Sequence, residues 1–197
     1  MSREELEELH YTTPISNVPS ILVRGILSHA RAKQLQHDSV ALPEIQERRA
    51  RVVVPGGRPL HQYVNLYVCA RNPMLYLRRA DHQALCVLRV KPDVVDLGNV
   101  VIADRNASSD HARFGAAPAA LVIVDHDLVF ARYWTHPEDP IAEWRHKSIK
   151  CAEVLVPDRV APEYVAGAYV SCRESEMQLN GMAPTVPVVV STDLFFR

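Results

Sequence analysis

The sequence holds no apolar run approaching the roughly 20 residues that a membrane-spanning helix needs. Its opening, MSREELEELHY, is acidic where a secretory leader would be basic and then apolar. These two absences give the expectation of a soluble, cytoplasmic protein with no membrane partner. Neither sign of charge dominates: 22 Lys and Arg against 23 Asp and Glu leave a net charge of -1. That balance excludes a protein that coats nucleic acid over its whole surface. Basic residues do cluster locally, in RRAR at 48–51, RR at 78–79 and RHKSIK at 145–150.

The common cofactor and nucleophile signatures are missing too. There is no GxxxxGK(S/T) and no GxGxxG, so the Gly56-Gly57 pair reads as a turn rather than a phosphate cradle. The nine histidines form no HExxH and the four cysteines no CxxC, so no metal site is expected. Cys69, Cys86, Cys151 and Cys172 lie far apart, which suits reduced thiols in a core. No GxSxG occurs, which removes the hydrolase nucleophile elbow.

What is present is enough apolar residue, 48% of 197, for one domain over 1–197 with its own core. After an acidic first helix turn, LHYTT reads as a short strand. Val18, Ile21 and Leu22 fall at helical spacing, with Ser16 or Asn17 as N-cap and Gly25 as the stop. Pro43 opens a second helix, PEIQERRA, ending near Arg51. NLYVCA reads as a strand and RNPMLY as a turn into a short helix.

Further strands are expected at 84–90, 93–97 and 100–104, with another apolar run at 120–124. NASSDHARF reads as a capped helix, HDLVFARYW as helix or strand, and THPEDPIAEWRHKSIK as a long surface loop with a helical piece. CAEVLVP, VAGAYV and VPVVVSTDLFF supply the last strands. The irregular interleaving, without a repeat or a βαβ rhythm, points to an α+β fold.

A few polar residues stand at strand edges. His10 and Thr12 share strand parity and so one face. Arg49 lies near a helix end, Tyr67 on a strand, and Glu153 at the mouth of Val154-Leu155-Val156. Singly, each has an ordinary structural explanation; the pairing of His10 with Thr12 favours a site. Trp144, Arg145, Lys147 and Lys150 read either as a basic loop with one aromatic for a splayed base, or as a solvated loop with Trp144 packed inward.

Taken together and in order, LHYTTPISNVPSILVRGILS, PEIQERRARVVVPGG, LHQYVNLYVCARNPMLY, AEWRHKSIKCAEVLVP and VVVSTDLFF resemble the DarT family of DNA ADP-ribosyltransferase toxins. The resemblance covers most of the chain. It implies an ADP-ribosyltransferase fold, α+β, with a central split mixed β-sheet flanked by short helices. It also implies NAD as the ADP-ribose donor, no metal, and transfer to a DNA base, guanine or thymine. Single-stranded DNA is the expected acceptor, because a paired base keeps its reactive atoms sequestered.

By the resemblance, His10, Tyr11, Thr12, Asn17, Gly25 and Leu27 belong to the NAD site. Tyr67 and Tyr76 border the nicotinamide pocket. Arg49, rather than Arg48 or Arg51, matches the arginine needed for activity, and Glu153 matches the catalytic glutamate. Its replacement by Ala is expected to spare folding and NAD binding. Cys151 stands where some relatives carry Gln, and Asn106 where some carry His, so both are expected to face the acceptor; Cys151 tilts the expected base towards guanine. The family also implies a partner antitoxin, an ADP-ribose-removing hydrolase. Two other readings stay open: an ADP-ribosyltransferase acting on RNA or protein, and a non-catalytic module that binds NAD or nucleic acid.

Overall fold

The structure is a computed structural model that describes residues 1–38 and 43–197. The expectation of a polar stretch over 29–43 falls partly on 39–42, outside the described residues. Ten strands and seven α-helices are found among the described residues. Strands β1 (Leu9–Pro14), β3 (Tyr63–Tyr67), β4 (Leu85–Val90), β5 (Val101–Ala103), β6 (Phe114–Ala116), β7 (Glu153–Pro157), β9 (Val165–Val170) and β10 (Val188–Val190) form one eight-stranded sheet. Its order is β10-β9-β4-β1-β3-β7-β5-β6, antiparallel except for the β9/β10 pair. Strands β2 (Ile26–Leu27) and β8 (Arg159–Val160) make a separate ribbon.

The sheet is split at its middle. β1 pairs with β4 over six residues and β3 with β7 over five, whereas β1 and β3 meet only at His10 and Tyr67. Two half-sheets therefore diverge from a single paired position. The backbone freed along that seam leaves room for a cleft.

Period-two alternation explains what each face carries. On β7, Val154 and Val156 enter the main core with Leu66, Leu88 and Ile102, while Leu155 enters a second cluster with Tyr63 and Ala103. Both faces are covered, so the run Val154-Leu155-Val156 is continuously apolar. Registry then sets Glu153 opposite Tyr67 on one side and Ala103 on the other. Directly opposed residues share a face, so Glu153 and Tyr67 point the same way.

Helix α1 (Val18–Arg24) buries Val18 and Ile21 and ends at Gly25, as the sequence predicts. Gly25 is required twice: its φ is +83°, and a Cβ there would run into the Val160 carbonyl oxygen. The other helices are α2 (His29–Ala32), α3 (Pro43–Ala50), α4 (Pro73–Leu77), α5 (His126–Phe130), α6 (Pro140–Ile149) and α7 (Arg173–Met182).

Several expectations are corrected. The first residues form a turn, not a helix turn. The expected strand at 93–97 is a 3-10 turn, Pro92–Asp96, which buries the adjacent Val94 and Val95 together, as no strand could on one face. The run at 120–124 lies in another 3-10 turn, Ala119–Ile123. NASSDHARF is not a helix, because the Asn106 side chain closes a local turn by accepting from the Ser108 amide and hydroxyl. The helical piece expected within THPEDPIAEWRHKSIK is the ten-residue α6, which takes up most of that segment, with Pro140 as its first residue and Asp139 capping the Ile141 and Ala142 amides. Helix α7 carries no clear sequence signal because only Ser175 and Leu179 of its residues are buried.

Candidate active site

A cleft of about 650 Å³ opens along the seam. Arg49 lines its floor, and Glu153 lies behind Arg49, outside the lining. Arg49 at the end of α3 donates Nη1 to Glu153 Oε1 at 3.0 Å and Nη2 to Oε2 at 2.9 Å. Glu153 is 0% exposed and Arg49 6%, so this parallel two-bond contact lies almost wholly out of water. Of the three arginines in RRAR, Arg48 and Arg51 are exposed and only Arg49 is buried on the glutamate.

Burial alone would depress the Arg49 guanidinium, but the charge of Glu153 and its hydrogen bonds raise it, so it stays a cation. Burial, then the Glu153 charge, pushes the Tyr67 phenol well above its ordinary range. The same two causes push the Cys151 thiol up to about 12. Cys151 therefore faces the cleft as a neutral thiol, not a thiolate nucleophile.

One wall comes from β1, α1 and β2. Tyr11, Thr12, Asn17, Gly25 and Leu27 all line the cleft, and Asn17 Nδ2 donates to Thr13 Oγ1 at 3.2 Å. The facing wall contains Asn106, Trp144, Lys147 and Cys151. Trp144 is 58% exposed, which overturns the alternative of inward packing. Arg48 and Arg78, from the basic clusters RRAR and RR, also border the cleft, as do Arg24 and His29, which no sequence pattern singles out. The composition of this border suits an anionic ligand.

Besides Glu153, which sits behind Arg49, four expected residues do not line the cleft. His10 does not line the cleft: its Nδ1 lies 3.3 Å from the Tyr67 carbonyl oxygen across the seam, and its Nε2 3.1 Å from Glu8 Oε1. Glu8 also accepts from Arg89 Nε and Tyr169 Oη, each at 2.7 Å. Burial opposes its charge, but these donors hold its carboxyl down to about 2. Glu8 is not among the residues expected from sequence, although it alternates with His10 and Thr12. Tyr76 is 40% exposed and packs edge-on against Trp134 and Phe196, outside the cleft.

Lys150 is a correction with a clear cause. It is 1% exposed, and its Nζ donates to the carbonyls of Val129 at 2.8 Å and Ala131 at 2.7 Å, with Cys69 Sγ at 3.5 Å. A lysine so enclosed ties the end of α5 to the end of α6 and cannot contact DNA from there. Arg145 is exposed but lies on the far side of α6, away from the cleft. Among the described residues, no group of three His, Cys, Asp or Glu could hold a metal, and no helix is long and apolar enough to cross a membrane.

A sheet split beside a buried glutamate, with a cleft over the split, defines an ADP-ribosyltransferase fold. Solved structures agree. Thermosipho africanus DarTG in complex with ADP-ribose superposes with a TM-score of 0.84 at 29% identity, covering 96% of this chain and 51% of that one. Thermus sp. 2.9 DarT in complex with ADP-ribosylated ssDNA gives 0.81 at 26% identity, covering 98% of each chain.

Residues 10–196 match the sequence profile described as "ssDNA thymidine ADP-ribosyltransferase, DarT", and the chain belongs to the DarT family. A Thermosipho africanus protein named as a fusion of DNA ADP-ribosyl transferase and DNA ADP-ribosyl glycohydrolase is 31% identical over 96% of this chain. The present chain spans 49% of that relative's length. A DNA ADP-ribosyl transferase of Thermus sp. is 34% identical over 75% of this chain and 73% of its own.

Proposed function

We propose that the chain transfers ADP-ribose from NAD to a thymine of single-stranded DNA, as the toxin of a toxin–antitoxin pair in the cytoplasm. The buried Arg49–Glu153 pair beneath the seam cleft carries this reading. In the reaction, the bond between the ribose anomeric carbon and the nicotinamide nitrogen breaks, and its electron pair stays with nicotinamide. A ring nitrogen of the base gives its own pair to that carbon and loses its proton to solvent.

The sugar passes through an oxocarbenium-like state, so a fixed carboxylate on a ribose hydroxyl stabilises charge that exists only then. That is the role of Glu153. Each of its oxygens has a lone pair left after accepting from Arg49, so the ribose hydroxyl has a place to donate. Because Glu153 is fully buried under Arg49, the substrate must tilt the guanidinium aside, after which Arg49 is positioned to meet the diphosphate or the base. A neighbouring guanidinium also favours the anion of a thymine ring nitrogen.

Thr12, Asn17, Gly25 and Leu27 form the NAD wall with Tyr11 and Tyr67, and His10 holds the seam beside it. Asn106, Trp144, Lys147 and Cys151 face the acceptor. Thymine is preferred over guanine because the matching profile is described by thymidine. The glycohydrolase arm of the Thermosipho relative supports an ADP-ribose-removing antitoxin.

Labelled NAD incubated with single-stranded oligonucleotides of each base composition, read by mass spectrometry, tests the reading. Transfer to thymine supports it, and transfer to guanine alone changes the base. Transfer to RNA or protein in preference to DNA changes the acceptor. NAD binding without any turnover would select the non-catalytic alternative.

A further inference from the structure

Helix α6 separates two cavities. Trp144, Lys147 and Ser148 face the seam cleft, while Ala142, Arg145, His146 and Ile149 line a second cavity of about 400 Å³ behind the helix. Resting on the DNA reading above, we propose that this second cavity is a phosphodiester subsite for the strand flanking the acceptor base.

Three guanidiniums line it, those of Arg105, Arg113 and Arg145, against two carboxylates, Asp104 and Asp125. Asp104 is already satisfied: it accepts from Arg105 at 3.1 and 3.0 Å, and from the Arg113 amide and Nε at 2.9 and 2.8 Å. Asp125 caps α5 through the Leu128 amide. Arg145, by contrast, is exposed and makes no hydrogen bond or ion pair among the described residues. A long cationic side chain with no protein partner, facing a cavity with two further arginines, is a ready phosphate contact.

A histidine relay lines the same cavity. His146 Nε2 lies 2.9 Å from the Leu128 carbonyl oxygen and must donate there, so its Nδ1 accepts from His136 Nε2, also at 2.9 Å. With its Nε2–H committed to His146, the neutral His136 ring has only an accepting Nδ1 left, so the phosphate donors of this cavity are its guanidiniums.

The path between cavities is also chemically suited to a strand. The crest of α6 exposes Ile141 by 79% and Trp144 by 58%, with His111 edge-on to the indole at 6.1 Å. An exposed indole offers a stacking face for a base next to the acceptor. A helix is about 10–12 Å across, so roughly two nucleotides of extended strand cross it. The acceptor then lies in the cleft, its neighbour on Trp144, and the following phosphate at Arg145.

The test compares transfer to a trinucleotide, too short to cross α6, with transfer to a dodecanucleotide around the same acceptor. Wild type is expected to favour the longer strand, and Arg145→Glu to lower that preference roughly 3- to 10-fold while Arg145→Lys keeps most of it. The log–log salt slope for the longer strand should become shallower by about 0.7 in Arg145→Glu, as one fewer phosphate is neutralised. Because Arg145 has no protein partner, both variants are expected to fold, checked by their melting temperatures. Added inorganic phosphate that lowers dodecanucleotide transfer no more than chloride of equal ionic strength supports a strand-borne phosphate. Selective inhibition by phosphate would assign the cavity to a free anion instead and overturn the proposal. An unchanged length preference in Arg145→Glu would also overturn it. Absence of transfer to either oligonucleotide by wild type would overturn the DNA reading itself and this subsite with it.

Discussion

Arg49 and Glu153, 104 positions apart in the chain, meet in two parallel hydrogen bonds of 3.0 and 2.9 Å at the one place where the sheet divides. Helix α3 brings the guanidinium and the first residue of β7 brings the carboxylate. Their pairing joins the end of one half-sheet to the wall of the cleft.

Because both bonds use the planar fork, Arg49→Lys is not a conservative change. The ammonium is a point donor: it leaves one Glu153 oxygen unpartnered before NAD binds, and afterwards it meets the diphosphate or the base without the two-bond fork. Loss of about 2–3 kcal/mol of transition-state stabilisation, roughly 30- to 150-fold in single-turnover transfer, is expected. Transfer within twofold of wild type would remove Arg49 from the mechanism.

Lys150 is structural, and its variant should separate folding from DNA affinity. Lys150→Met removes the charge that caps the Val129 and Ala131 carbonyls and is expected to cost about 2–3 kcal/mol in urea unfolding. Single-stranded DNA affinity of the folded fraction should be unchanged. Normal stability together with weakened DNA binding would reverse that assignment.

The Glu8 carboxyl is held at about 2, down from 4.5 when unperturbed. A depressed folded-state value contributes stability that is present above the unfolded value and is lost as pH falls through the folded one. The stability gap between wild type and Glu8→Gln should therefore be full above about pH 5 and close between about pH 4.5 and 2. After solvent screening of this half-buried group, the gap is about 1–2 kcal/mol. Acid titration of the urea midpoint measures it; a gap that widened on acidification would contradict the network.

Gly25→Ala places a methyl group against the Val160 carbonyl oxygen at a backbone φ of +83°. A cost of about 1–3 kcal/mol is expected, together with a raised KM for NAD, because the β2/β8 ribbon abuts the cleft. An unchanged KM would detach this turn from the NAD wall.

Much of this architecture is legible in the sequence. Gly25 announces its turn because only glycine fits there, and Val154-Leu155-Val156 announces a strand buried on both faces. The polar partners are not legible, because they depend on which strands become neighbours. Lys150 reads as a surface cation in RHKSIK, yet its ammonium is caged by carbonyls of a segment some twenty residues upstream. The prolines of THPEDPIAEW suggest a loop with only a helical piece, yet Pro140 is the first residue of the ten-residue α6. His10 and Thr12 share a strand face, yet only Thr12 reaches the cleft, because His10 is drawn to Glu8 and the Tyr67 carbonyl.

The buried pair also changes how Glu153 should be tested. Ala in its place would leave the Arg49 charge buried without a partner, so a cost of about 3–5 kcal/mol is expected in place of spared folding. Glu153→Gln keeps the volume and an accepting oxygen while removing the negative charge. Single-turnover transfer from NAD to a thymine oligonucleotide by Glu153→Gln, with NAD affinity measured alongside, is the most direct test. Binding within a few-fold of wild type with transfer reduced by about 10²–10⁴-fold is expected. Near-wild-type transfer by a folded, NAD-bound Glu153→Gln would contradict the assignment of catalysis to this carboxylate.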